Sequence, residues 1–189
     1  MLQDKKKDVR ILLIEDDPGH ARLITRAFQS CQGNFQVDVA VTLKDARLFL
    51  VHTPPDLVIT DINLPDGKGI ELLGPDNEEY PFPLVVMTSY GDEQMAVDVM
   101  KSGALDYIVK MDSTFRDMPN IVKRTLREWE HISGRKLAEH ALKQSEKKYR
   151  MLFNSMMDAF AFHEAVCDEE GSFRDYKYVE VNSMYEKFM

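Results

Sequence analysis

Short apolar runs recur through the first two thirds of the chain, separated by segments in which apolar residues return every three or four positions. Val9–Ile14, Phe35–Val41, Leu57–Thr60, Leu84–Thr88 and Leu105–Val109 have the length and the Val, Ile and Leu content of strands. In the second run Phe35, Val37, Val39 and Val41 alternate with Gln36, Asp38 and Ala40, which predicts a strand with one wet face. The other four lack that alternation and predict strands covered on both faces. Between them, Ala21, Ile24, Ala27 and Phe28, then Leu43, Ala46 and Leu50, then Met95, Val99 and Met100 are spaced as the inner stripes of helices. Thr42 with Asp45 three residues on marks a helix start, and Gly103 after Lys101 marks a helix stop. Strands alternating with helices predict parallel pairing through right-handed crossovers, hence a doubly wound, five-stranded α/β domain.

From Pro119 onward the pattern changes. Val122, Leu126, Trp129, Leu137, Ala141 and Leu152 keep a three-and-four rhythm within a highly charged stretch, which predicts helix. Ser133-Gly134 interrupts it, and a glycine inside a helix costs about 1 kcal/mol relative to alanine, so a break between two helices is expected there. The last residues read as a strand, a turn at Glu170-Gly171, a strand through Tyr176 to Val181, and a helix start at Asn182 or Ser183. A segment of about 35 residues is too small to bury a core of its own, so a domain cut short is expected.

Composition narrows the function. The net charge of -8 argues against a general affinity for nucleic acid, which depends on clustered Lys and Arg. Cys31 and Cys167 stand far apart and in no metal-ligand spacing, which suits a reducing cytoplasm. The apolar run at the amino end is too short for a signal peptide, and no window approaches the roughly 20 apolar residues of a membrane span, so a cytoplasmic location with no membrane partner is expected.

The polar residues at the strand ends carry the chemistry. Glu15 and Asp16 follow the first strand, Asp61 follows the third, Thr88 ends the fourth and Lys110 follows the fifth. A parallel sheet gathers its carboxyl ends on one rim, where ligands of such sheets sit. Carboxylates held together repel one another unless a cation joins them, and an oxygen-only set suits Mg²⁺, which also accepts phosphate oxygens. The cluster therefore reads as a phosphoryl-transfer site, with Lys110 and the Thr88 hydroxyl available to the transferred group.

Four stretches, "LLIEDDPGHARLI", "VITDINLPDGKGIELL", "VVMTSYGDE" and "GALDYIVK", together resemble the receiver domain of two-component response regulators, over about residues 8–128. The resemblance implies a flavodoxin-like receiver fold in which Asp61 is the phosphoacceptor, taking a phosphoryl group from the phosphohistidine of a histidine kinase or a phosphotransfer protein. It implies Mg²⁺ as cofactor, held by Asp16, Asp61 and the Asn63 backbone carbonyl, with Glu15 acting through water. Thr88 and Tyr107 would form the switch pair, Lys110 would pair with the phosphoryl group, and Asn63 and Tyr90 would tune its lifetime. On this reading the chain phosphorylates and dephosphorylates itself at Asp61 rather than turning over a substrate. "EDD" offers three acids in a row; aligning the strand takes Glu15 and Asp16 and leaves Asp17 to cap the helix after Pro18. The family usually has proline after the lysine, often in a cis bond, where this chain has Met111, and Gly74-Pro75 is expected to shorten the third helix.

The tail, "ALKQSEKKYRMLFNSMMDAFAF" followed by "YVEVNSMYEKF", resembles the linker helix and opening strands of a PAS sensor domain. The expected organisation is a receiver over 1–128, a linker helix over 129–152 and the amino-terminal fragment of a PAS domain over 153–189. The parent would be a signalling relay or sensory histidine kinase, and the Val122 to Leu152 stripe reads either as a solvated linker or as a coiled coil that forms a homodimer. Two other readings stay open: a haloacid dehalogenase-type phosphatase, which also uses a strand-end aspartate but wants a second Asp where Asn63 stands, and a receiver-like module that is never phosphorylated. His163-Glu164 lacks the second histidine of a zinc motif. His20, His52, His131 and His140 read as surface residues.

Overall fold

The computed structural model describes residues 8–73, 82–89, 97 and 99–188. In chain order the elements are β1 (Val9–Ile14), α1 (Pro18–Gln29), β2 (Phe35–Ala40), α2 (Leu43–His52), β3 (Leu57–Asp61), and the short strands β4 (Asn63–Leu64) and β5 (Gly67–Lys68). A 3-10 turn at Gly69–Leu72 is followed by β6 (Leu84–Thr88), β7 (Asp106–Val109), α3 (Asp112–Ser155), β8 (Ala161–Cys167), β9 (Phe173–Val181) and α4 (Ser183–Phe188). The contacts divide the chain into two compact units, Met1–Ile132 and Ser133–Met189.

In the first unit five strands form a parallel sheet in the order β2-β1-β3-β6-β7. Because β2 lies on one side of β1 and β3 on the other, the winding direction reverses between β1 and β3. That switch point opens a crevice at their carboxyl ends, just where Glu15 and Asp61 are placed. Both faces of the sheet are covered. Ile11, Leu13, Ile59 and Met87 pack against Ile24 and Phe28 of α1 and Phe115, Met118 and Val122 of α3. Leu12, Ile14, Val58 and Val86 pack against Leu43 and Ala46 of α2 and against Val99. Residues 97 and 99–101 are helical, and Gly103 ends that helix with φ +98, a left-handed conformation that favours glycine. Met95, Gly74 and Pro75 lie outside the described residues.

The helix caps follow from the sequence. Asp17 accepts the backbone N–H groups of Gly19 at 2.7 Å and His20 at 2.8 Å, and Pro18 opens α1. Thr42 caps α2 through the Asp45 N–H at 3.1 Å. Asp66, brought in by the β4–β5 ribbon, accepts two more amides of the same helix end, Leu43 at 2.8 Å and Lys44 at 3.0 Å.

Several expectations need correction. The fifth strand is not covered on both faces: β7 is a sheet edge, and Tyr107 on it is 42% exposed. Val41 falls outside β2 and is exposed like Val39, while Ala40 between them is buried, so the wet face of this edge strand changes toward its carboxyl end. Finally, Ser133-Gly134 does not break the helix, because α3 runs on through both residues. Nothing lies within 4 Å of where a Gly134 side chain would be, so no packing demand forces a bend, and one exposed glycine is a small penalty in a helix of 44 residues. The helix also starts before Pro119, which lies in its interior.

In the second unit β8 and β9 form an antiparallel pair joined by a turn in which Gly171 takes φ +81. The Asp168 carboxylate gathers the N–H groups of Glu170 and Ser172 and the Arg174 Nε there, and β9 begins at Phe173 rather than Tyr176. Asn182 is fully buried: its Oδ1 accepts from Phe160 and Tyr185, and its Nδ2 donates to the Asp158 carbonyl at 2.8 Å. No described helix is long and apolar enough to cross a membrane.

Candidate functional site

The strand ends converge as their parallel register dictates. Ile14 is level with Thr60 and Asp61 with Met87, so the residues following β1 and ending β3 share one rim. The backbone around Asp61 is tied down on both sides: Thr60 Oγ1 donates to the Asp61 carbonyl at 2.9 Å, Ile62 N–H to the Met87 carbonyl at 2.9 Å, and Gly69 N–H to the Ile62 carbonyl at 2.9 Å. A Cβ at Gly69 would collide with the Asp61 carbonyl and the Thr60 side chain, so only glycine lets the β5 end approach so closely.

Glu15, Asp16 and Asp61 each offer a carboxylate oxygen, all within 4.8 Å of one another. Glu15 and Asp61 are buried and Asp16 is exposed. Lys110 enters from the end of β7. Its Nζ lies 2.5 Å from Asp61 Oδ2, 2.9 Å from Glu15 Oε1 and 2.7 Å from Glu15 Oε2. Burial works against the Lys110 ammonium, but its hydrogen bonds to Asp61 and Glu15 outweigh it and hold the pKa above the usual lysine value. The one ammonium contacts two of the three acidic side chains, Glu15 and Asp61, and not Asp16. Glu15 Oε2 is buried and makes no aligned hydrogen bond, its contact being the ion pair with Lys110 at 2.7 Å. The oxygen-only donor set of Glu15, Asp16 and Asp61 is what fits a hydrated divalent cation.

Of the residues singled out in the sequence, the structure brings together Glu15, Asp16, Asp61 and Lys110. Asp17 is occupied instead with the start of α1. Thr88 is buried at the end of β6, and its carbonyl accepts the Lys110 N–H at 2.8 Å. Asn63 is exposed, and its N–H donates to Asp61 Oδ1 at 3.2 Å. Tyr107 sits on the outer strand opposite Val86, and Tyr90 lies outside the described residues. Among the described residues no peptide bond is cis, so Met111 follows Lys110 through a trans bond.

His20 is the residue the sequence reading missed. It is not a plain surface residue: Nδ1 lies 3.3 Å from Glu15 Oε1, and the ring tilts against Phe115 with centroids 5.1 Å apart. His52, His131 and His140 are exposed, as expected. The signal for His20 was its place in the first turn of a helix that starts beside the acidic rim.

Comparison with known proteins agrees with this arrangement. The family model described as response regulator receiver domain matches residues 11–122. The methanogenesis regulatory protein FilR1 of Methanothrix harundinacea is 36% identical over 129 residues, which cover 66% of this chain and 29% of that protein. The response regulator protein PilR of Pseudomonas aeruginosa is 32% identical over 104 residues, covering 53% of this chain and 22% of that protein. This chain thus spans less than a third of the length of either relative. Among solved structures, a CheY-like response regulator receiver domain protein from Methanospirillum hungatei superposes with a TM-score of 0.56 at 26% identity, covering 66% of this chain and 98% of that one. Full-length FixJ from B. japonicum gives a TM-score of 0.57 at 27% identity, covering 67% and 61%. With its family match, its sheet order and its homologous response regulators, the chain belongs to the response regulator receiver domain family.

Proposed function

We propose that this chain is a phosphoacceptor receiver of a two-component relay, in which Asp61 takes a phosphoryl group from the phosphohistidine of a kinase or phosphotransfer protein. The observation that carries the reading is the Lys110–Asp61–Glu15 triad beside Asp16 at the switch point of the sheet. An Asp61 carboxylate oxygen attacks phosphorus, an O–P bond forms as the N–P bond breaks, and the electron pair of that bond leaves with the imidazole. Lys110 neutralises charge on the transferred oxygens, and Thr88 offers its hydroxyl from the neighbouring strand end. Asp16, Asp61 and the Asn63 carbonyl would hold Mg²⁺, with Glu15 acting through water. That ion supplies neutralisation of the phosphoryl oxygens when bound.

Thr88 and Tyr107 form the proposed switch, and Asn63 and Tyr90 the proposed lifetime controls. Residues 1–128 act as the receiver, 129–152 as a signalling helix open to homodimerisation, and 153–189 as the start of a PAS domain that belongs to the output. The helix–strand–strand–helix order of the second unit supports that last assignment. We place the protein in the cytoplasm. The phosphatase alternative is disfavoured by the family match and by Asn63 in place of its second aspartate.

The deciding experiment is incubation with labelled acetyl phosphate and Mg²⁺. Stoichiometric labelling of the wild type, lost in Asp61→Asn and in excess EDTA, is the expected result. Labelling that persists in Asp61→Asn, or no labelling of a folded wild type, overturns the assignment.

A further inference from the structure

The two oxygens of the buried Glu15 carboxylate have unequal surroundings. Oε1 faces three nitrogen donors: Lys110 Nζ at 2.9 Å, His20 Nδ1 at 3.3 Å and the Asp17 N–H at 3.3 Å. Oε2 makes no aligned hydrogen bond, and its neighbour is the same Lys110 Nζ, 2.7 Å away. An ionised carboxylate can only accept, so a hydrogen bond across this contact requires the ring proton on His20 Nδ1. His20 is itself held from two directions. Its backbone N–H is held by the Asp17 carboxylate at 2.8 Å, and its ring rests on Phe115, which is 3% exposed in the first turn of α3. Phe115 N–H bonds to the Met111 carbonyl at 3.0 Å, one residue beyond Lys110. The ring therefore connects the start of α1 to the segment that delivers the site lysine.

We propose that His20 is a positioning residue for the acidic site: by holding Oε1 of Glu15 it fixes the rotation of the carboxylate that stands with Asp16 and Asp61 in the cluster suited to a hydrated divalent cation. The inference rests on the Mg²⁺-dependent reading given above. Hydrogen-bond partners that orient ligating groups affect metal affinity without touching the metal, and their loss typically weakens binding about ten-fold or more. His20 acts at the far side of a residue that itself works through water, so the lower end of that range applies.

The test uses the full chain with three substitutions. His20→Ala removes the donor and the ring, His20→Phe keeps a ring against Phe115 without a donor, and His20→Asn places an amide nitrogen close to the Nδ1 position. Mg²⁺ affinity is measured by calorimetry without a phosphodonor, and the Mg²⁺ concentration for half-maximal acetyl phosphate labelling is measured separately from the rate at saturating Mg²⁺. Affinity about ten-fold weaker in His20→Phe, with the saturating rate little changed and most of the affinity regained in His20→Asn, is the expected pattern. Wild-type affinity in His20→Phe, or no regain in His20→Asn, reduces the histidine to a packing residue and overturns the inference. Should His20→Ala fail to fold, the Phe and Asn variants still decide. A wild type that binds no Mg²⁺ sinks the metal reading and this inference with it, whereas a wild type that binds and variants that match it overturn this inference alone.

Discussion

Lys110, at the end of β7, reaches across β6 to place its ammonium 2.5 Å from the carboxylate of Asp61 at the end of β3. Both side chains are about nine-tenths buried, and Glu15 behind them is fully so. The pair thus ties the outer strand to the middle of the sheet while holding the proposed nucleophile in place.

Lys110→Met keeps most of the side-chain length and removes the charge. Glu15 and Asp61 then face each other without their counter-charge, and breaking a buried pair from one side costs about 3 kcal/mol. The expected outcome is a lower urea midpoint in EDTA, with a larger recovery on adding Mg²⁺ than the wild type shows, because a cation takes over the neutralisation. Equal Mg²⁺ stabilisation of both proteins would contradict this account. Labelling of Asp61 by acetyl phosphate should also slow, since the transferred oxygens lose a positive partner.

Gly69→Ala puts a methyl group 2.7 Å from Thr60 Cγ2 and against the Asp61 carbonyl. Those atoms belong to the end of a central strand and cannot move without shifting Asp61. Destabilisation of about 1–3 kcal/mol is expected, the usual range for overpacking. Mg²⁺ affinity should fall with it, and a variant with wild-type stability would show that the ribbon yields more easily than its hydrogen bonds imply.

Much of this site was legible in the sequence because a parallel sheet collects its carboxyl ends on one side whatever the order of its strands. Glu15, Asp61 and Lys110 could be placed together from strand boundaries alone. Strand order could not be read that way. Leu105–Val109 looked like an interior strand, and only the observed pairing of β7 with β6 on one side makes it an edge. His20 escaped for a similar reason. Its contact with Phe115 joins residues far apart in the chain, and no local pattern records it. The helix through Gly134 was misjudged because a propensity penalty was weighed without the length of helix around it.

Asp66 offers a pH prediction with a defined sign. The backbone hydrogen bond from Leu43, opposed by a desolvation cost and aided by the bond from Lys44, lowers its pKa below the usual 3.8. A carboxyl whose folded pKa is depressed contributes stability that is present above the unfolded pKa and is lost as pH falls through the folded one. Asp66→Ala should therefore lower the thermal midpoint at neutral pH, and the gap from the wild type should shrink as pH falls below 3.8. Parallel melting curves from pH 7 to pH 2 check this, and a gap that stays constant or widens in acid would show that the carboxylate does not hold α2.

Gly134→Ala tests the continuity of α3. Glycine in a helix interior carries a backbone entropy cost of about 1 kcal/mol relative to alanine, and the position is open, with nothing within 4 Å of the added carbon. Since the helix runs through residue 134, alanine gains propensity and meets no clash. Higher resistance to urea of the helical circular-dichroism signal is expected, by about 1 kcal/mol. Gly134→Pro should act oppositely, because proline lacks the N–H that bonds to the carbonyl four residues earlier and its ring clashes there, costing about 3 kcal/mol. If the chain instead bent at Ser133-Gly134, alanine would destabilise or leave the signal unchanged and proline would be tolerated, so the two substitutions together separate a continuous helix from a hinge.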